Sequence, residues 1–227
     1  MVSSPSARSA PPGKACHKQA IFVDRIQKAL GVSLGETRCY IVETSEMGKV
    51  MGKHGWNQDD SRGVVGFQVG NDIYVLRQAS WSVLHELVHK AGINADRLSR
   101  YVAEGLTEAI AADLRQSADE HQPTYPEETR WVRETLLPVL GLTPIQLGQV
   151  LAKSDDPPRK LAEMLVAKRP DLNRSALVDE LRPQRTGRPS LNRTPPSAAS
   201  GWAVGVGAAF LTAGALLLFA PSGQDSA

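Results

Sequence analysis

The stretch SVLHELVHKAG, residues 82 to 92, constrains the fold more than any other part of the chain. On an α-helix four residues make slightly more than one turn, so His85 and His89 project from one face with Glu86 beside them. Two imidazoles at that spacing can reach a single divalent ion, and the neighbouring glutamate can handle a proton. A catalytic zinc site takes three protein ligands and keeps a fourth position open, and this stretch supplies only two. The fold must then bring a second element across the first. The bland alternative is that these side chains form a solvated helix face beside an apolar stripe of Trp81, Leu84 and Val88.

The surrounding pattern predicts a small sheet followed by helices, an α+β fold. Residues 15 to 30 read as a helix stopped by Gly31, and TRCYIVET (37 to 44) reads as a strand. Residues 45 to 63 read as a Gly-rich loop in which His54 is solvated. VVGFQV and DIYVL flank Gly70-Asn71, a two-residue hairpin signal. The histidine helix is expected to start at Ser80 as N-cap and to close at Gly92. Asn94 or Asp96 would cap the next helix, ADRLSRYVAEGLTEAIAADLRQ. After a polar break at 117 to 124, PEETRWVRETLL starts with Pro126 and is ended or kinked at Pro138. Three short helices follow: one from Thr143, then PPRKLAEMLVAK, then RSALVDEL.

Glu104, in YVAEGLTEAIAADL, is the candidate third ligand. The chain between it and His89 is long enough to turn at Gly92 and pass a second helix beneath the metal. Glu108 lies one turn further on the same face, where it can accept a hydrogen bond from the other ring nitrogen of a ligand, His85 above all. H85-E-L-V-H89 followed by A-E104-G-L-T-E108 resembles the gluzincin group of zinc metallopeptidases, and the short chain is most similar to the compact minigluzincins. The resemblance covers about residues 60 to 115. It implies one Zn2+ ion held by His85, His89 and Glu104, Glu86 as general base, and Glu108 behind the ligands. It also implies a peptide or protein substrate laid along the hairpin 64 to 76. The family often adds an oxyanion donor, which no motif marks here; Tyr101, Tyr125 and His121 are the candidates.

Composition bounds what else the chain can be. Its 41% hydrophobic and 22% charged residues are those of a globular protein, and a net charge of +2 with no base-reading motif excludes a nucleic-acid partner. Two cysteines, Cys16 and Cys39, exclude a disulfide scaffold and read as reduced thiols; Cys16-His17 with Cys39 matches no zinc spacing. Residues 1 to 14 read as a flexible tail, 15 to 182 as the metallopeptidase-like domain, and 183 to 200 as an Arg/Pro-rich linker. GWAVGVGAAFLTAGALLLFA carries no charge, so 201 to 221 is expected to be a transmembrane helix, with 222 to 227 a short tail. Arg182, Arg185, Arg188 and Arg193 precede it, which predicts a single-pass, tail-anchored protein with a cytoplasmic catalytic domain. Gly201, Gly205, Ala209 and Ala213 would permit a helix-mediated dimer. The resulting expectation is a membrane-tethered zinc endopeptidase. Its rivals are an inactive metallopeptidase fold that binds a partner and a secreted membrane-inserting effector protease.

Overall fold

The computed structural model describes residues 14–16, 19–56, 63–94, 96–115 and 124–191. In chain order it has β1 (Lys14–Ala15), α1 (Gln19–Leu30), β2 (Arg38–Val42), α2 (Thr44–Lys53), β3 (Gly66–Val69) and β4 (Asp72–Leu76). A 3-10 segment (Arg77–Ser82) leads into α3 (Val83–Lys90), which is followed by α4 (Arg100–Leu114) and α5 (Pro126–Trp131). A π-helical stretch (Val132–Leu136), α6 (Leu137–Leu140), α7 (Pro144–Ala152), α8 (Pro157–Lys168) and α9 (Arg174–Glu180) complete it. The fold is α+β.

The sheet runs β1-β2-β4-β3, with β2 and β4 parallel and both outer pairings antiparallel. Side chains alternate across a strand, and β4 is buried on both faces. Ile73 and Val75 join the main core with α1, α3, α4 and the later helices, whereas Tyr74 and Leu76 join a second cluster with Met47, Val50 and Met51 of α2. The Gly70-Asn71 turn makes β3 and β4 the expected hairpin and leaves β3 at the sheet edge. Gly70 has φ +56, which the first position of a tight two-residue hairpin turn needs and which a residue with a Cβ rarely adopts.

Several local expectations need correction. The first ten residues of the expected 45-to-63 loop are largely α2, because Glu43 and Glu46 form a reciprocal capping box that starts a helix. His54, at its C-terminus, is not simply solvated: its ring packs against Tyr74 and Phe67, with Nε2 3.4 Å from the Tyr74 hydroxyl. α3 begins at Val83 rather than near Ser80, because the chain first makes a tighter 3-10 turn. α4 begins at Arg100, well after Asn94 and Asp96. Ser99, its N-cap, makes no side-chain cap bond, and the amides at the start are tied to the chain after α9 instead, Ser99 N–H donating to Leu181 O and Arg100 N–H to Arg185 O. Those acceptors put residues just past 182 against the domain. Pro138 neither ends nor breaks its helix. The chain widens into π turns immediately before it, which accommodates the missing N–H and the ring.

The two cysteines are not free thiols. Cys16 and Cys39 form a disulfide with Cα atoms 5.4 Å apart, tying the residue after β1 to the second residue of β2. Among the described residues no single helix is long and apolar enough to cross a membrane. The expected span at 201 to 221, the tail before Lys14, His17, and the linker beyond 191 lie outside the described residues.

The bridge closes a loop over a sequence separation of 23. Loop closure of that size is worth about 3 kcal/mol. Urea unfolding of the Cys16→Ser/Cys39→Ser protein is therefore expected to show a loss of about that size relative to the oxidised protein. Equal stabilities, or two thiols titrating freely in protein purified without reductant, would contradict the bridge.

Candidate metal centre

α3 and α4 cross with their most polar faces turned toward each other inside the core. On α3, His85 and Glu86 are buried among Leu84, Leu87 and Val88. On α4 every residue from Val102 to Ala111 is buried, including Glu104 and Glu108. Buried carboxylates are costly unless paired, so the partners of these two decide whether the arrangement is stable.

Each histidine has its Nδ1 committed. His85 Nδ1 is 3.1 Å from Glu108 Oε2, and His89 Nδ1 is 2.7 Å from the carbonyl oxygen of Ile93. A carbonyl can only accept, and so can the ionised Glu108, so both rings donate at Nδ1 and present a lone pair at Nε2 when neutral. Thr107 Oγ1 also donates to Ile93 O at 3.1 Å and fixes that acceptor in place. Glu108 is held in turn by Arg115, whose Nη2 lies 3.1 Å from its second oxygen. Burial alone would raise the Glu108 carboxyl, but the His85 hydrogen bond and the charges of His85 and Arg115 outweigh it and hold it below the usual range.

The three free donor atoms meet. His85 Nε2 is 2.9 Å from His89 Nε2 and 3.1 Å from Glu104 Oε2, and His89 Nε2 is 3.2 Å from the same oxygen. One ligand atom from each residue lies within 4.8 Å of the others, a set that could hold a metal ion. A tetrahedral shell with zinc–ligand distances of about 2.0–2.1 Å has edges of roughly 3.3–3.4 Å, so the triangle need open by only a few tenths of an ångström. Two imidazoles and one carboxylate are also a donor set that zinc accepts. The residues present fit the ion.

Without a cation at that point, a proton takes its place. Burial pulls the His85 ring down, yet the hydrogen bonds it donates to Glu104 and Glu108 outweigh it and raise the pKa to about 10. Burial likewise pushes Glu104 up, but the bonds to His85 and His89 win and bring it down to about 2.

Beside this centre, reaching it at His85, lies a cavity of about 230 Å³ lined by residues that include Gly66 of β3, Ser82, Glu86, Arg100 and Tyr125. Glu86 does not join the triangle. Burial raises its carboxyl, while His85 and His89 pull it back. A Cβ on Gly66 would stand 2.8 Å from Glu86 Oε1 and 3.0 Å from Ser82 Oγ, so the edge strand reaches the glutamate only because this residue lacks a side chain. Gly105 plays the same part on α4: a Cβ there would meet Glu128 O at 2.5 Å, and its absence lets α5 lie close. That approach brings in Tyr125, whose ring stacks on His85 with centroids 5.6 Å apart. Burial and the nearby Glu104 push its hydroxyl up to about 12, so it stays a donor at neutral pH.

Of the residues singled out in the sequence, His85, Glu86, His89, Glu104, Glu108 and Tyr125 are brought together. Tyr101 instead packs edge-on against Trp131, with centroids 5.7 Å apart, and does not border the cavity. His121 lies outside the described residues. Sequence reasoning missed Arg100, Thr107, Arg115 and the Ile93 carbonyl. The first three sit at helical intervals from Glu104 and Glu108, so the same periodicity could have found them.

No family model matches the chain, and neither a curated protein nor a solved structure matches it. The reading of the centre rests on its own residues.

Two expectations follow for metal binding. Zinc uptake at neutral pH must displace the proton that His85 holds below about 10, so affinity should climb with pH in that range. Calorimetry in buffers of different ionisation enthalpy should register release of about one proton per ion. Glu108→Ala should weaken zinc affinity about 10- to 100-fold by freeing the His85 ring. Binding with no proton release and with Glu108→Ala at wild-type affinity would show that the ion sits elsewhere.

Proposed function

We propose that the chain is a zinc metallopeptidase that hydrolyses peptide bonds at this cavity. The observation that carries the reading is the convergence of His85, His89 and Glu104 on one point, with the carboxyl of Glu86 beside it but outside the set. A closed structural site would use a fourth protein ligand, whereas three ligands and a neighbouring carboxyl suit hydrolysis.

A zinc ion held there would supply Lewis acidity, polarising a carbonyl and making water a nucleophile source near neutral pH. The chain's own residues do the rest. Glu86 takes a proton from the attacking water and delivers it to the nitrogen of the leaving amine, a transfer favoured by its raised carboxyl pKa. Tyr125, a donor at neutral pH, offers its hydroxyl to the oxygen that gains negative charge. Glu108 and Arg115 hold His85, and the Ile93 carbonyl and Thr107 hold His89, so the rings do not reorient during the reaction. The exposed edge of β3 would take an extended peptide in strand pairing, with Gly66 leaving room above Glu86. Attachment to a membrane through residues 201 to 221 belongs to the same proposal, with the Cys16–Cys39 bridge favouring an oxidising side.

The test compares zinc content with cleavage of a quenched peptide library. Wild type is expected to hold one zinc per chain and to cleave; Glu86→Gln should keep the zinc and lose at least about 100-fold in rate. Gly66→Ala, by displacing Glu86, should also lose about 10- to 100-fold with zinc retained. Cleavage that survives Glu86→Gln, or zinc-loaded wild type that cleaves nothing, would overturn the assignment.

A further inference from the structure

Among the residues that border the cavity, Arg100 has no place in the mechanism above. It lies one helical turn before Glu104 on α4, and its Nε is 4.0 Å from Glu104 Oε1, the oxygen that does not face the histidines. Its side chain is 61% exposed, although it borders the same cavity as His85, Glu86 and Tyr125. The start of α4 is fixed by the Leu181 and Arg185 carbonyls, so the root of this side chain is held in place. A guanidinium has five N–H donors and no acceptor. At 4.0 Å the contact with Glu104 is an ion pair beyond hydrogen-bond length, and the guanidinium also hydrogen-bonds the Tyr125 hydroxyl, so part of its five-donor fork is left for another acceptor.

We propose that Arg100 receives a carboxylate of the substrate, so that the cavity selects peptides with a negative charge one or two residues from the scissile bond. The inference rests on the peptidase reading of the site. The distance sets the register. Glu104 Oε1 belongs to the same carboxylate as Oε2, which faces the two Nε2 atoms, so the guanidinium stands within about two residue lengths of the reacting carbonyl. Arginine binds carboxylates in a planar, bidentate fork, which a lysine at the same place would not reproduce. The carboxylate has two sources: a free peptide C-terminus, which makes the enzyme a remover of C-terminal residues, or an aspartate or glutamate side chain, which keeps it an endopeptidase.

The experiment uses full-length zinc-loaded Glu86→Gln protein and three acetylated hexapeptide libraries of apolar residues. One library has free C-terminal acids, one has C-terminal amides, and one has amides carrying a single glutamate. Binding is measured by calorimetry, and the same libraries are given to the wild type with product analysis. At least one carboxylate-bearing library is expected to bind about tenfold tighter than the neutral amides, and Arg100→Met should remove that preference while retaining one zinc per chain. Arg100→Lys should keep only part of it. Preference for the free acids identifies a C-terminal carboxylate, and preference for the glutamate library identifies a side chain. Equal binding of all three, binding of none, or a preference that survives Arg100→Met overturns the assignment of Arg100. Failure of the wild type to cleave while the charge preference persists would instead refute the peptidase reading and leave Arg100 as a carboxylate receptor.

Discussion

Three atoms with lone pairs face one another at 2.9 to 3.2 Å between α3 and α4, and inside a protein that arrangement requires positive charge. Either a proton or a metal ion can supply it. The proton can satisfy one pair of atoms at a time, whereas an ion at the centre satisfies all three at once. Much of the surrounding structure serves to keep these atoms aimed inward. Glu108 and Arg115 hold one ring from behind, and the Ile93 carbonyl holds the other. Because Glu104 and Glu108 occupy successive turns of the buried stretch of α4, one carboxylate faces the centre while the other supports it.

Close approach of the neighbouring elements depends on missing side chains. Gly105 lets α5 pass against α4 and delivers Tyr125 to His85, and Gly66 lets β3 pass above Glu86. Gly148 does the same deeper in the core, where a Cβ would meet Ile110 Cδ1 at 2.7 Å. These contacts explain why a chain with a short sheet can bury α4 on all sides. The carbonyls of Leu181 and Arg185 that cap α4 also show that the segment after α9 belongs to the site's support.

The triad that could hold a metal ion was legible because helical period and ligand chemistry constrain the same residues. His85, His89, Glu104 and Glu108 were candidates by helical spacing and by resemblance, and the structure brings them together; the Gly70-Asn71 hairpin and most of the later helices were also legible. What stayed hidden depends on contacts that spacing does not encode. The Cys16–Cys39 bridge follows from a two-residue strand pairing with β2, too short to leave a periodic signal. The α2 helix was masked by its glycines, and only the Glu43–Glu46 capping box reveals it. Tyr125 could not be separated from Tyr101 in the sequence, because the distinction lies in which ring α5 carries to His85 and which it leaves against Trp131. The continuation through Pro138 needed the π turns to be seen.

X-ray absorption at the zinc edge of the zinc-loaded protein tests the central claim most directly. The account predicts a first shell of two imidazole nitrogens and one or two oxygens at about 2.0–2.1 Å, with imidazole scattering lost on replacing His85 and His89. A shell of oxygens alone, a sulfur contribution, or a spectrum unchanged in Glu104→Ala would contradict it.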